Sequence, residues 1–320
     1  MQPITIDEVH DARARLAGVI VRTPLVRLPF DSAVGQVYLK LENLQPIGSF
    51  KLRGAANAIA LAGPDALKYG VYTASAGNMA QGVAWCARSL GVACTVIVPE
   101  HAPKAKTDAI ERLGATVTRV SFDEWWQVLV QHGSPDAHGL FIHPFADAAV
   151  MAGNGTMALE IFEDLSDVGA IFVPYGGGGL ACGIAAVARV VSPNTKVYAI
   201  EAETAAPLTA SFATGAPTPV TRTPTFIDGM GSGAVFGEMW PLVQSLVAGT
   251  VVVTVAQVAA AVKLLAERCR VVAEGAGAAA LAGALTGAVD VSRTVCIVSG
   301  GNLDLEVLRT ILAGEVPRTI

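Results

Sequence analysis

Ala170-Ile171-Phe172-Val173-Pro174-Tyr175-Gly176-Gly177-Gly178-Gly179-Leu180 is a short apolar run, a proline, four consecutive glycines and the start of an Ala-rich segment. A run of β-branched and aromatic residues closed by Pro and Gly reads as a buried strand, and the composition after Gly179 is that of a helix. Glycines at such a junction let successive backbone N–H groups converge on an anion, and the helix start adds partial positive charge. The loop therefore reads as a phosphate site; a tight turn packed closely would account for one or two of the glycines but not four. From Val168 to Val191 the only charge is Arg189, yet Pro174 and the glycines interrupt the run. Strand, loop and helix explain it better than a membrane span.

The same alternation extends in both directions. Upstream, strands near 71–74, 93–98 and 115–120 alternate with helices over 78–90, 103–113 and 122–132, after a strand at 37–42 and a helix from Lys51 to the Gly63-Pro64 break. Downstream, a helix at 147–165 leads into strands at 169–174, 196–201, 250–254 and 294–298, with helices at 179–190, after Thr204, at 255–268 and at 275–287, and a closing helix. Such βαβα order implies parallel sheets, and 320 residues suffice for two lobes. Only 15% of the residues are charged and 52% are hydrophobic, which suits strands buried on both faces. Gly215 to Gly237 is irregular and too long for a plain connector, so it is expected to be functional or to pack across a cleft.

Two further glycine turns follow strands, Ser75-Ala76-Gly77-Asn78-Met79 and Ser299-Gly300-Gly301-Asn302. Free amides at the first could hold a carboxylate, and the second lies where open parallel sheets place ligands; an ordinary N-cap and a turn serine are equal alternatives for each alone. Lys51, within Gly48-Ser49-Phe50-Lys51-Leu52-Arg53-Gly54-Ala55, stands at a loop-to-helix junction. Gly176, Gly178 and Ala181 also satisfy G-x-G-x-x-A, with Glu201 at the end of the next strand, so a nicotinamide-dinucleotide dehydrogenase stays open, although that leaves Lys51 and the other turns unexplained.

A net charge of −5 and the lack of a basic run argue against nucleic acid, leaving a small molecule as the expected partner. Cys86, Cys94, Cys182, Cys269 and Cys296 are scattered in apolar stretches, as in a cytoplasmic protein with reduced core thiols. Thr5-Ile6-Asp7-Glu8 reads as a capping box rather than an export signal. His10, His101, His132, His138 and His143 are spread out without metal-ligand spacing or partners.

A phosphate loop combined with a lysine suits a carbonyl cofactor such as pyridoxal phosphate, which forms a Schiff base with an amine. Gly48 to Ala55, Ser75 to Ala84, the glycine loop, Glu274 to Ala280 and Ser299 to Asn302 appear in the order and approximate spacing of the fold-type II pyridoxal-phosphate enzymes. Within them the chain most resembles the threonine/serine dehydratases, relatives of serine racemase, over nearly its whole length. The resemblance implies an α/β, tryptophan synthase β-like architecture of two three-layer open-sheet domains, mostly parallel. A large cofactor-anchoring domain would comprise 1–69 and 147–320, a small mobile domain 70–146, and the assembly would be a homodimer.

By the same resemblance Lys51 would hold pyridoxal 5'-phosphate and remove the Cα proton. Phe50 would lie against the pyridine ring, Asn78 would reach its hydroxyl, and Ser299 would face its nitrogen. Gly176, Gly177, Gly178, Gly179 and Leu180 would hold the phosphate, and Ser75, Ala76, Gly77, Asn78 and Met79 the substrate carboxylate. A neutral serine cannot keep the pyridinium charged as an aspartate would, so expulsion of a β-substituent is favoured over transamination. The reaction implied is dehydration of a β-hydroxy amino acid to a 2-oxo acid and ammonia.

The chain departs from the family at four places. Ala76 replaces the second serine of serine racemase, which argues against efficient racemisation, and Met79 replaces a histidine. Glu201 and the Ala205 carbonyl match a family cation site, but Pro207 stands where its second acid belongs, so no metal is expected. The C-terminal regulatory domain of biosynthetic threonine dehydratases is not expected in this chain, and neither is isoleucine feedback. Met79, Phe226 and Met230 point to a β-substituent bulkier than threonine's methyl, as in 3-phenylserine. A 3-hydroxyaspartate dehydratase, an amino-acid racemase and a non-catalytic amino-acid-binding protein are the other readings.

Overall fold

The computed structural model describes residues 1–29 and 34–317; positions 30–33 and 318–320 of the large-domain assignment lie outside the described residues. The chain opens with α1 (Ile6–Leu16), β1 (Leu25–Arg27), β2 (Gln36–Leu41) and α2 (Lys51–Ala66). Then come β3 (Val71–Ala74), α3 (Asn78–Leu90), β4 (Cys94–Pro99), α4 (Lys104–Arg112), β5 (Thr116–Val120), α5 (Phe122–Val130) and β6 (Leu140–Phe141). The chain continues through α6 (Ala148–Asp164), β7 (Ala170–Pro174), α7 (Gly179–Val191), β8 (Lys196–Ala202) and α8 (Pro207–Thr214). The remaining elements are α9 (Trp240–Leu246), β9 (Gly249–Val253), α10 (Val255–Leu264), α11 (Gly275–Leu285), β10 (Arg293–Val298) and α12 (Leu305–Leu312).

Two sheets result. One is six-stranded, in the order β1-β2-β10-β7-β8-β9, and only its β1 edge is antiparallel; the other is four-stranded, in the order β5-β4-β3-β6, and all parallel. Period-two side-chain alternation accounts for the layering. In the larger sheet Ile171, Val173, Val295 and Ile297 enter one core with α1, α6 and α7, while Phe172, Cys296 and Val298 enter the opposite core with α10 and α11. In the smaller sheet Val71, Val96 and Val98 face α2 and α3, and Tyr72, Ala74 and Ile97 face α5.

Local chemistry sets the helix ends. Thr5 and Glu8 form the expected capping box, and Ser121/Glu124 and Thr254/Gln257 form two more. The Gly63-Pro64 break is a kink within α2, with Gly63 at φ 76°. The expected helix 255–268 is shorter, because α10 passes into a π-helical turn, Leu265–Cys269, that Arg270 ends at φ 61°. The short elements β1, β6 and α9 were not anticipated, since two or three residues, or two turns at most in α9, carry too little periodicity to read. No helix among the described residues is long and apolar enough to cross a membrane.

The arrangement of β7 and β10 positions the site. These strands are adjacent and parallel. The helix after β7 packs on one face of the sheet through Ala181 and Ile184, and the helix after β10 packs on the other through Val307 and Ile311. Connections that diverge from neighbouring strands leave a crevice at their C-terminal ends. The loops 175–179 and 299–302 line that crevice.

Candidate active site

Lys51 opens α2 at the crevice. Residues 48–50 are stitched to the end of β10: Phe50 N donates to Ser299 O at 3.0 Å, Ser49 Oγ donates to the same oxygen at 3.3 Å, and Gly301 N donates to Gly48 O at 2.9 Å. Gly48 adopts φ 70°, and a Cβ there would lie 2.7 Å from Asn302 Oδ1, so both the backbone and the space require glycine. The Lys51 amine donates to Pro144 O at 2.6 Å and lies 5.3 Å from the centroid of the Phe50 ring. Burial lowers its pKa to about 8.

The glycine loop is shaped by Phe145. A Cβ on Gly177 would fall inside the Phe145 ring, and one on Gly179 would lie 2.5 Å from the Phe145 carbonyl oxygen. Gly178 adopts φ 91° and caps α7 without a side-chain acceptor, so the first-turn amides have no side-chain partner. Leu180 is turned into the core. The start of α3 is similar, because Gly77 at its N-cap provides no side-chain bond and Ser75 Oγ instead accepts from Gly77 N at 3.2 Å. Ser75, Ala76, Gly77 and Asn78 are half-buried at this junction.

Asn78 links the start of α3 to the loops beside β10 and α11. Its Oδ1 accepts from Asn302 Nδ2 at 2.8 Å, and its Nδ2 donates to Glu274 Oε1 at 2.9 Å, so both ends of the amide are engaged. Glu274 precedes α11; burial, and then the charge of Asp228, raises its pKa to about 7. Ser299 is buried at the end of β10. The structure thus gathers Phe50, Lys51, Asn78, Ser299 and Glu274 at one crevice.

A model of the family described as "Pyridoxal-phosphate dependent enzyme" matches residues 16–300 of this chain. The chain belongs to the pyridoxal-phosphate dependent enzyme family. It is 38% identical over 315 residues to the L-threonine ammonia-lyase of Thermotoga maritima, covering 97% of this chain and 78% of the relative. It is 36% identical over 320 residues to the catabolic L-threonine dehydratase TdcB of Escherichia coli K12, covering 95% and 94%. Among solved structures, maize serine racemase superposes with a TM-score of 0.89 at 30% identity, covering 98% of each chain.

The residues fit the family's cofactor. Three consecutive glycines that tolerate no Cβ leave open amides at the start of α7, as a phosphate needs, and the half-buried Lys51 provides an amine of lowered pKa. Gly177→Ala would push its methyl into the Phe145 ring, an overpacking cost of about 1–3 kcal/mol. Titration of the apoprotein with pyridoxal 5'-phosphate is expected to show affinity reduced by about one order of magnitude or more.

Three further expectations can be set against the structure. The Met79 side chain is 1% exposed within the smaller sheet's core, and Phe226 and Met230 pack in the core of the larger. Met230 nonetheless borders the glycine loop, its Cα 3.7 Å from where a Cβ on Gly176 would stand, and Met79 stands in the first turn of α3. The dinucleotide reading fails at Glu201, whose carboxylate accepts from Leu208 N, Thr209 N and Thr209 Oγ1 and caps α8. The same bonds engage both oxygens of this member of the suspected cation site.

The histidines are not all isolated either. His132 and His143 stack at 4.7 Å between ring centroids, and His132 Nε2 lies 2.5 Å from Glu238 Oε1. A spacing of eleven residues across a turn carries no readable period, so only the fold reveals the cluster. Asp228 was missed as well; it pairs with Lys106 of α4 at 2.5 Å. Together these contacts tie the irregular segment 215–237 and its continuation to the smaller sheet's layer, consistent with packing across a cleft.

Proposed function

We propose that the chain is a dehydratase (ammonia-lyase) of a threonine- or serine-type β-hydroxy amino acid, releasing a 2-oxo acid and ammonia. The observation that carries this reading is the half-buried Lys51 amine, bonded to the Pro144 carbonyl beside Phe145, the residue seated on the open glycine loop. The family members named L-threonine ammonia-lyase and L-threonine dehydratase support the substrate class.

When bound, pyridoxal phosphate supplies a sink for the charge that develops on Cα. Gly176 to Leu180 would hold its phosphate, Phe50 and Ser299 would flank its ring, and Asn78 would reach its hydroxyl on leaving Glu274 or Asn302. The turn before α3 and its first residues, Ser75 to Met79, would hold the substrate carboxylate through the Ser75 hydroxyl and the open amides at the helix start. Lys51 would accept the Cα proton, a role served by an amine with pKa near the working pH. Ala76 offers no hydroxyl on the opposite side, which supports elimination rather than racemisation. The relatives named L-threonine ammonia-lyase and L-threonine dehydratase support a small β-substituent, the bulkier one of 3-phenylserine stays the alternative, and Glu274 with Asp228 nearby would repel the second carboxylate of 3-hydroxyaspartate. We also propose a homodimer, which light scattering on the purified protein would test.

Threonine, serine, 3-phenylserine and 3-hydroxyaspartate assayed side by side for 2-oxo acid and ammonia test the reading. Threonine or serine is expected to lead. A lead for either of the others overturns the substrate class, and ammonia from none of them supports the non-catalytic binder.

The Lys51 amine is nucleophilic only when deprotonated. Cofactor capture by the apoprotein is expected to accelerate about tenfold per pH unit below its pKa and to level off above it. Since the unfolded lysine keeps its proton to about 10.4, the unfolded state binds more protons from about pH 8 upward. Apoprotein stability therefore gains a contribution from Lys51 as pH rises through that window. Stopped-flow absorbance across the range checks the first statement; a pH-independent rate would sink it.

A further inference from the structure

His143 stands one residue before Pro144, the acceptor of the Lys51 amine, and two before Phe145, the residue seated on the glycine loop. Its side chain is 1% exposed. Nδ1 accepts from Ala146 N at 2.8 Å and from Phe145 N at 3.3 Å, so one ring nitrogen satisfies two amides where the backbone bends over 144–146. The ring is also wedged edge-on against Phe145 and Phe236, at centroid distances of 4.6 and 5.7 Å.

His143, His132 and Glu238 place their ligand atoms within 4.8 Å of one another, close enough for a metal ion. The tautomer argues against one. With Nδ1 accepting, the neutral ring carries its proton on Nε2, so the cluster presents an N–H where a metal requires a lone pair. Burial, then the neighbouring His132, push the His143 pKa down to about 3, against a smaller opposite pull from the Leu129 carbonyl, so the ring stays neutral.

We propose that His143 is a positioning residue for Lys51. By accepting the Phe145 and Ala146 amides on Nδ1, it folds 144–146 into the bend that presents the Pro144 carbonyl to the lysine amine and seats Phe145 on Gly177 and Gly179. This rests on the reading of Lys51 as the cofactor-holding amine.

Two amide substitutions separate the role from mere packing, because asparagine places its oxygen near the Nδ1 position and glutamine near Nε2. His143→Asn is expected to capture pyridoxal 5'-phosphate, followed by visible absorbance, within about threefold of the wild-type rate. His143→Gln, which leaves two buried amides without their acceptor, is expected to be slower by about tenfold or more. In the apoprotein, hydrogen exchange at the Phe145 and Ala146 amides should stay slow in His143→Asn and quicken by a similar factor in His143→Gln. Equal behaviour of the two variants in both measurements, whether both intact or both impaired, overturns the proposal. The exchange arm needs no cofactor, so it judges His143 even if Lys51 were not the capturing amine, a point that Lys51→Ala decides separately.

Discussion

Lys51→Ala is expected to remain folded, to lose the visible chromophore that borohydride bleaches in the wild type, and to lose ammonia release by about three orders of magnitude or more. The physical reason is that alanine has no amine to offer the cofactor. The amine of Lys51 is placed by its hydrogen bond to Pro144 O and by the stitching of residues 48–50 to the end of β10. Its pKa, about 8, comes from burial, and no ion pair holds it charged. The mutation also removes a partly desolvated cation, so thermal stability should fall little. Absorbance spectra before and after borohydride, together with circular dichroism, check both statements. A variant that keeps a borohydride-sensitive chromophore would show that another amine carries the cofactor.

Glu160→Ala is expected to destabilise the protein by about 3–5 kcal/mol, the cost of leaving a buried charge uncompensated. Two residues after Lys51, the Arg53 guanidinium is fully buried and bonded to both Glu42 and Glu160. Lys40 Nζ donates to Glu160 Oε2 at 2.5 Å and to Thr23 O at 2.6 Å. Two cations and two carboxylates balance one another among β2, α2, α6 and the short 3-10 turn Glu42–Leu44. Burial lowers the pKa of Lys40. Burial would raise that of Glu42, but Arg53 overrides it and lowers it. Without Glu160, Arg53 and Lys40 share one carboxylate, and the first turn of α2, which carries Lys51, loses an anchor. Urea unfolding measures the loss, and cofactor affinity should fall with it. A change below about 1 kcal/mol would mean that the network relaxes to admit water.

The strand-glycine turn-helix units were legible because each is local. The alternation of apolar residues, the four glycines from 176 to 179 and the capping box at Thr5 all act over a few residues, and the resulting elements fall within a few positions of the reading. Lys51, Phe50 and Ser299 could be singled out for the same reason, since each sits in a short ordered motif. The sequence left the direction of side chains undecided. Met79 occupies the first turn of α3, but the helix turns it into the smaller sheet's core; Asn78, one residue earlier, faces the crevice. The apolar character of Met79, Phe226 and Met230 was visible, yet whether it lined a pocket or filled a core depends on the neighbouring layers.

The sequence by itself determined the α/β class, the positions of the glycine turns and the type of chemistry a lysine and a phosphate loop can perform, because those follow from backbone geometry and side-chain chemistry within single segments. Only the tertiary structure decided that residues 48–51, 78, 176–179, 274 and 299–302 meet. Strand order decides this: β10, last in the chain, inserts between β2 and β7 so that apolar side chains are buried on both of its faces. The same long-range packing sets His143 against His132 and Phe236, and pairs Asn78 with Asn302 across 224 positions. Such contacts leave no local period in the sequence.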